Sequence, residues 1–229
     1  MSLSVPNSPH NARTRIKICG LTRESDVDAA VAAGADAVGF VMYPKSPRFV
    51  SVARAKELAA RLPAFVTPVL LFVNASVQEV QAAHAQIPNS LIQYHGDETP
   101  EQCAAAALTH IRAARIPLGP EGASFDLVKY AQEFSTAQAI LLDAHVEGYG
   151  GAGQSFQWSL LPKNVNAHLV LSGGLNAANV TDGIAAVRPR CLSLAVDVSS
   201  GVEAAKGIKD PEKILQFVAA VRRADASFV

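Results

Sequence analysis

A single (β/α)8 barrel is the fold class that the sequence predicts, and two observations support it. The chain has 229 residues, which suits one large α/β barrel, and no linker or low-complexity segment divides it. Short runs dense in Val, Ile, Leu or Phe alternate with Ala-rich stretches of helical character, as expected for parallel strands that are buried on both faces. A doubly wound open sheet is the structural alternative.

The individual elements follow from local patterns. The segments typical of buried strands are 15–20, 37–43, 67–73, 91–96, 110–119, 139–144, 168–174 and 191–198. Helical stretches lie at 25–35, 51–62, 76–87, 99–110, 126–134, 176–187 and 211–224, and only a short helix is expected near 156–162. Ser25 is predicted to cap the first helix, and Thr99-Pro100 and Asp210-Pro211 each place a capping residue before a proline. We predict a flexible leader at 1–14 and one barrel domain at 15–229.

Composition and charge exclude several classes of function. Lys plus Arg and Asp plus Glu both number 20, which argues against a nucleic-acid partner because phosphates require a basic surface. No apolar run approaches the roughly 20 residues that span a bilayer, and the N-terminus lacks the hydrophobic segment of a signal peptide. The cysteines, Cys19, Cys103 and Cys191, lack metal-ligand spacing. We therefore expect a cytoplasmic protein with reduced thiols and without a membrane segment or a bound metal.

Polar residues concentrate at the carboxyl ends of the predicted strands, where barrel enzymes carry their chemistry. Cys19 ends the first strand, Asp143 ends the sixth, and Asp197 lies near the end of the eighth. A thiolate at Cys19 can act as a base where positive dipoles lower its pKa, although free cysteines are more often small buried hydrophobic residues. Asp143 can act as a general acid or base, or it can simply form a turn.

Two glycine-containing loops indicate a phosphate site. The loops at 172–174 and 199–201 follow the seventh and eighth strands, and we expect the first of them to lead directly into a helix. Glycine lets backbone N–H groups approach an anion, and a helix N-terminus adds a favourable dipole. Barrels frequently bind phosphate between these two loops, so we expect a phosphorylated small molecule as ligand. The alternative is that the glycines only form tight turns.

The sequence leaves the roles of three other features undecided. Arg48, after the second strand, could hold a carboxylate bidentately or remain a solvated loop residue. His95 and Asp97 follow the fourth strand, and a structural histidine is as compatible with the pattern as a ligand contact. The segment 148–153 formally matches GxGxxG, but no acidic residue follows at the spacing of a dinucleotide site. We interpret it as a glycine-rich loop that could close over a ligand, and we expect no cofactor.

These segments together resemble the phosphoribosylanthranilate isomerase family. The resemblance covers nearly the whole chain after the leader, and its segments fall in order on predicted βα junctions: 17–22, 34–51, 71–74, 92–98, 141–144, 148–158, 171–180 and 195–210. It implies a cofactor-free Amadori rearrangement in tryptophan biosynthesis, with a monomer or a homodimer as the assembly. Gln157 and Tyr94 depart from the family's usual Asp and Leu, and neither is a proposed acid or base.

The resemblance also implies roles for individual residues. Asp143 is the general acid that protonates the ribose ring oxygen, Cys19 is the base that removes the C2 proton, and Arg48 is the partner of the anthranilate carboxylate. The implied phosphate ligands are Gly173, Gly174, Ser200 and Gly201, with Asp197 nearby.

Related activities compete with this interpretation. The isomerase of histidine biosynthesis works with two aspartates, whereas Cys19 stands at the strand-one position here. Indoleglycerol-phosphate synthase relies on lysines and glutamates, and only Lys17 has a matching place. A bifunctional isomerase that acts in both pathways and a non-catalytic binder of a phosphorylated ligand are also compatible with the sequence.

Overall fold

The computed structural model describes residues 13–118, 122, 124–144 and 157–227, and its strands form a closed parallel barrel in the order β1 to β8. This confirms the predicted (β/α)8 barrel and rules out the alternative of an open sheet. The strands are β1 (Arg15–Cys19), β2 (Ala37–Val41), β3 (Thr67–Phe72), β4 (Leu91–Tyr94), β5 (His110–Ile116), β6 (Ile140–Ala144), β7 (His168–Leu171) and β8 (Ser193–Val198). A short antiparallel hairpin, β9 (Glu203–Ala205) and β10 (Ile208–Lys209), follows the barrel.

Helices connect the strands on the outside. They are α1 (Glu24–Ala33), α2 (Val52–Ala59), α3 (Val77–Gln86), α4 (Pro100–Ala105), α5 (Leu127–Glu133), α6 (Val180–Val187) and α7 (Pro211–Ala226). A 3-10 helix at Trp158–Leu160 lies where a short helix was predicted. Thr99 and Asp210 accept hydrogen bonds from the first turns of α4 and α7, which confirms both predicted caps.

Two predicted helix starts are wrong. Ser25 does not cap α1, because the helix begins one residue earlier and Arg23 occupies the N-cap position without a capping bond. Helix α6 begins at Val180 rather than at 176, because the preceding residues form a turn instead. In that turn the Asn179 side chain accepts a hydrogen bond from the backbone of Asn176 and donates one to the carbonyl of Gly174.

Side chains alternate between the barrel interior and the layer beneath the helices. Ile16 and Ile18 of β1 belong to the large core between the strands and the helices. The intervening residues Lys17 and Cys19 therefore point into the barrel. Small apolar clusters fill the interior, formed by Ile111, Ala113, Leu141 and Val170 at one level and by Cys19, Val41 and Leu71 at another. This alternation selects the side chains that can reach the barrel mouth.

A buried polar cluster joins the two ends of the barrel domain. Thr14 donates from its backbone N–H and its hydroxyl to Asp225 of α7, and Arg188 also binds this carboxylate. Thr14 is fully buried, although it is the last residue of the predicted leader, and the first twelve residues of that leader lie outside the described part of the chain. Within the described residues, no helix combines the length and apolarity needed to cross a membrane.

Candidate active site

Strands β1, β7 and β8 are connected by polar contacts at the barrel mouth. Lys17 donates to Asp197 at 2.8 Å, and the hydroxyl of Ser172 donates to the other oxygen of Asp197 at 3.2 Å. The hydroxyl of Ser199 donates to the carbonyl of Cys19 at 3.0 Å. The structure therefore brings together the predicted residues Cys19 and Asp197, and it adds Lys17 as their charged neighbour.

The thiol of Cys19 lies in space that a glycine provides. Cys19 is 4% exposed and is paired in register with Gly39 of the adjacent strand β2. A Cβ atom at Gly39 would lie 2.7 Å from Cys19 Sγ and 3.1 Å from Lys17 Cε. Any side chain at this position would displace the thiol or the lysine, so Gly39 allows the two groups to lie side by side inside the barrel.

Charges around Cys19 act on the thiol in opposite directions. Burial raises the pKa of Cys19 above its usual value, and the Asp197 carboxylate adds to the rise, while Lys17 and Lys209 oppose it. Burial also disfavours the ammonium of Lys17, but the carboxylate of Asp197 and the thiolate form of Cys19 favour it, and the pKa of Lys17 is raised. Lys17 is therefore a fixed cation that stabilises a thiolate, and Asp197 is its counter-ion.

Asp143 is the penultimate residue of strand β6, and each of its carboxylate oxygens contacts a neighbouring group. His95 Nε2 lies 3.0 Å from Asp143 Oδ2, and the backbone N–H of Ala144 donates to Oδ1 at 2.9 Å. A Cβ atom at Gly173 would lie 2.6 Å from the Ala144 nitrogen and 2.9 Å from Asp143 Oδ1. The first glycine of the β7 loop is thus required for the close approach of that loop to Asp143.

The two predicted phosphate loops lie against each other. Gly173 and Gly174 have φ angles of 75° and 66°, a left-handed conformation that glycine adopts without strain. A Cβ atom at Gly201 would lie only 1.9 Å from the carbonyl oxygen of Leu175, so the β8 loop contacts the β7 loop backbone to backbone. Ser200 and Gly201 belong to a 3-10 turn at this contact. The glycines named from the sequence therefore share one place at the barrel mouth.

Arg48 lies across the β1 loop and pairs with a glutamate that the sequence did not indicate. Its Nε and Nη2 atoms bind Glu203 at 2.7 and 2.8 Å, and Glu203 also accepts from Lys209 at 3.0 Å. A Cβ atom at Gly20 would lie 2.5 Å from Arg48 Cδ, so the arginine passes directly over Gly20, beside Cys19. Nη1 of Arg48 makes no hydrogen bond with any described residue. Glu203 therefore occupies one edge of the guanidinium, and Nη1 lies outside this pair.

Some functional features lay beyond the sequence prediction. The sequence left the role of His95 undecided and assigned no role to Gln93 or Glu203. The structure places all three in contact with predicted site residues or with neighbours of those residues. The alternation of β4 was a usable signal, because Gln93 and His95 are two residues apart and therefore share a face. The glycine-rich loop at 148–153 lies outside the described residues.

Comparisons with known proteins agree with this geometry. The model of the family "N-(5'phosphoribosyl)anthranilate (PRA) isomerase" matches residues 16–220. The N-(5'-phosphoribosyl)anthranilate isomerases of Leptothrix cholodnii and Methylibium petroleiphilum are each 64% identical, over 94% and 93% of this chain and 94% and 96% of their own lengths.

Solved structures show the same relationship. The phosphoribosyl anthranilate isomerase of Thermotoga maritima is 39% identical with a TM-score of 0.79, covering 92% of this chain and 99% of that one. A phosphoribosyl anthranilate isomerase in complex with reduced 1-(o-carboxyphenylamino)-1-deoxyribulose 5-phosphate is 37% identical with a TM-score of 0.76 over the same shares. The chain belongs to the N-(5'-phosphoribosyl)anthranilate isomerase family.

Proposed function

We propose that this site converts N-(5-phosphoribosyl)anthranilate to 1-(2-carboxyphenylamino)-1-deoxyribulose 5-phosphate, the Amadori rearrangement of tryptophan biosynthesis. Membership of the isomerase family supports the reaction. The observation that carries the mechanism is the placement of a thiol on β1 and a carboxyl group on β6, both at the carboxyl end of one closed barrel. An acid and a base on separate strands can reach one bound substrate from two sides.

Asp143 acts as the general acid in the first step. It gives a proton to the ribose ring oxygen, the bond from this oxygen to C1 breaks, and a Schiff base forms. The carboxylate that remains is stabilised by the backbone N–H of Ala144, and His95 Nε2 lies 3.0 Å from its other oxygen. The backbone donor is in place before the negative charge develops, which lowers the barrier to ring opening.

Cys19 acts as the base in the second step. Its thiolate removes the C2 proton of the Schiff base, and the resulting enolamine tautomerises to the aminoketose. The raised pKa of Cys19 makes the thiolate scarce but strongly basic, and the ammonium of Lys17 stabilises it. The carboxylate of Asp197 holds this ammonium and would repel a phosphate. We therefore place Asp197 with the base rather than with the phosphate ligands.

The two ends of the substrate serve as handles. Backbone N–H groups of the β7 and β8 loops, at Gly173, Gly174, Ser200 and Gly201, bind the phosphate. Arg48 binds the anthranilate carboxylate through Nη1, while Glu203 holds the other edge of the guanidinium in place. Binding both ends fixes C1, C2 and the ring oxygen between the acid and the base.

The proposal also covers the cellular location, the class of ligand and the assembly of the protein. We place the enzyme in the cytoplasm, acting on a small phosphorylated molecule without a cofactor or a nucleic-acid partner. Its assembly is a monomer or a homodimer, and the related protein of Thermotoga maritima is described as dimeric.

The test is the loss of anthranilate fluorescence when purified protein meets phosphoribosylanthranilate generated in situ. Wild type should remove the signal rapidly, whereas Asp143→Asn and Cys19→Ala should each reduce kcat by about 10²–10⁴-fold, the usual contribution of an acid or base. Arg48→Ala should raise KM and lower kcat/KM.

Matched controls are available in the same chain. Asp182 is exposed on α6 and Cys103 is buried in α4, so Asp182→Asn and Cys103→Ala should retain kcat. A folded wild-type protein that removes no signal beyond the spontaneous rate would refute the isomerase, and near-normal turnover in Cys19→Ala would refute the assigned base.

A further inference from the structure

Three side chains form a hydrogen-bonded row inside the barrel and end at Asp143. Gln93 Nε2 lies 2.9 Å from His95 Nδ1, and His95 Nε2 lies 3.0 Å from Asp143 Oδ2. Gln93 is 0% exposed and His95 is 6% exposed, so water does not compete for these contacts. The row runs from Gln93 inside β4, through His95 just after that strand, to Asp143 near the carboxyl end of β6.

The direction of the row follows from the donor groups. A carboxamide nitrogen can only donate, so Gln93 Nε2 donates to His95 Nδ1, which must be the unprotonated ring nitrogen. The proton of the neutral imidazole is therefore on Nε2, and Nε2 donates to Asp143 Oδ2. Asp143 also accepts from the Ala144 backbone, so a donor holds each oxygen of its carboxyl group.

Apart from this contact, the Gln93 side chain makes no hydrogen bond with the described residues. Its Oε1 atom is buried and has no hydrogen-bond partner among the described residues. The neighbouring interior side chains of the barrel are apolar, among them Ile111 and Leu141. An apolar residue would fill the same volume without leaving a polar atom unsatisfied. The retained contact from Nε2 to the imidazole is therefore the feature of Gln93 that distinguishes it from an ordinary core residue.

We propose that Gln93 and His95 are positioning residues, and that Gln93 sets the His95 tautomer which holds Asp143 as the general acid. With its proton on Nε2, the imidazole orients the carboxyl group and stabilises the carboxylate that remains once the proton has gone to the substrate. In the opposite tautomer a bare Nε2 would face this carboxylate and disfavour the loss of the proton. The proposal rests on the assignment of Asp143 in the proposed function.

The tautomer can be read directly. In ¹⁵N spectra of the full-length protein, a protonated imidazole nitrogen and a bare one resonate far apart, and the pair that disappears in His95→Gln identifies His95. We expect a bare Nδ1 and a protonated Nε2 in wild type, and a mixture of tautomers in Gln93→Met. A protonated Nδ1 with a bare Nε2 in wild type would overturn the proposal.

Kinetics test the consequence for catalysis. Gln93→Met should lower kcat about tenfold and His95→Leu about 100-fold, with KM within about twofold of wild type, since the acid step is impaired and substrate binding is not. His95→Gln retains an N–H donor and should recover most of the activity lost in His95→Leu. His84→Gln on α3, outside the barrel, is the matched control and should leave kcat unchanged.

The outcomes separate this inference from the proposed function. An active wild type with unchanged kcat in Gln93→Met, or equal losses in His95→Gln and His95→Leu, would refute the positioning role alone. A wild type without isomerase turnover would refute the catalytic part together with the proposed function, and the ¹⁵N spectra would still decide whether Gln93 sets the tautomer.

Discussion

Lys17 shows how a single buried charge can control the protonation of the proposed base, Cys19. Its ammonium lies between Asp197 and Cys19 inside the barrel, where an unpaired charge would be strongly unfavourable. The ion pair with Asp197 keeps Lys17 charged, and Lys17 in turn lowers the pKa of a thiol whose burial raises it. The availability of the proposed base therefore depends on a residue that the substrate does not need to contact.

The first prediction concerns Lys17→Gln. The amide can still donate to Asp197, but the cation that lowers the pKa of Cys19 is lost, so this pKa should rise further and the thiolate fraction at neutral pH should fall. The pH profile of thiol alkylation should shift to higher pH, and kcat should fall by about tenfold for each unit of pKa. Lys129→Gln, on an exposed part of α5, is the control. An unchanged or more acidic profile would contradict this account.

At the scale of elements, the loops after β7 and β8 act as one unit because their backbones touch. The contact between Gly201 and the carbonyl of Leu175 leaves no room for a side chain, and Gly173 allows the same β7 loop to approach Asp143. The proposed phosphate site and the proposed acid are therefore connected through one short loop. A shift of this loop would change substrate binding and the position of the acid together.

The second prediction compares two glycine substitutions. Gly201→Ala forces the two loops apart, so KM should rise at least about tenfold, and stability should fall by about 1–3 kcal/mol. Gly34→Ala is the matched control, because Gly34 also requires glycine, with a φ of 90°, but has no atom within 4 Å of the added Cβ. It should lose about 1 kcal/mol and keep its KM. Urea unfolding and steady-state kinetics measure both, and equal KM values would contradict the prediction.

For the whole molecule, closure of the barrel depends on joining its first and last elements. Strand β1 pairs with β8, and beside this seam Asp225 of α7 binds Thr14 and Arg188. This cluster is polar and buried, and it lies at the amino end of β1, opposite the barrel mouth. Its contribution should therefore be to stability and not to turnover.

The third prediction is that Asp225→Ala lowers the free energy of unfolding by about 3–5 kcal/mol, because the buried contacts of its carboxylate with Thr14 and Arg188 would be lost. The kcat of the folded variant should equal that of wild type. Glu212→Ala, at an exposed position of the same helix, should change stability by less than about 0.5 kcal/mol. Urea denaturation distinguishes the two, and similar midpoints would show that the cluster does not stabilise the closure.

Features that depend on local sequence patterns were predictable, whereas contacts between residues far apart in the sequence were not. The strands were predictable because buried parallel strands are apolar throughout, and the ends of those strands led to Cys19 and Asp143. The pairing of Arg48 with Glu203 spans 155 positions, and that of His95 with Asp143 spans 48, so no local pattern indicates either contact. The late start of α6 depended on turn hydrogen bonds that compete with the first helical turn.

Gly39 determines whether the barrel has space for a different proton-transfer group at position 19. The space beside position 19 exists only because β2 carries no side chain there, and a larger group at position 19 would use that same space. A library of substitutions at position 19 therefore has the best chance of yielding folded variants while Gly39 is kept. A search that varies position 39 first would fill this space before any new chemistry could occupy it.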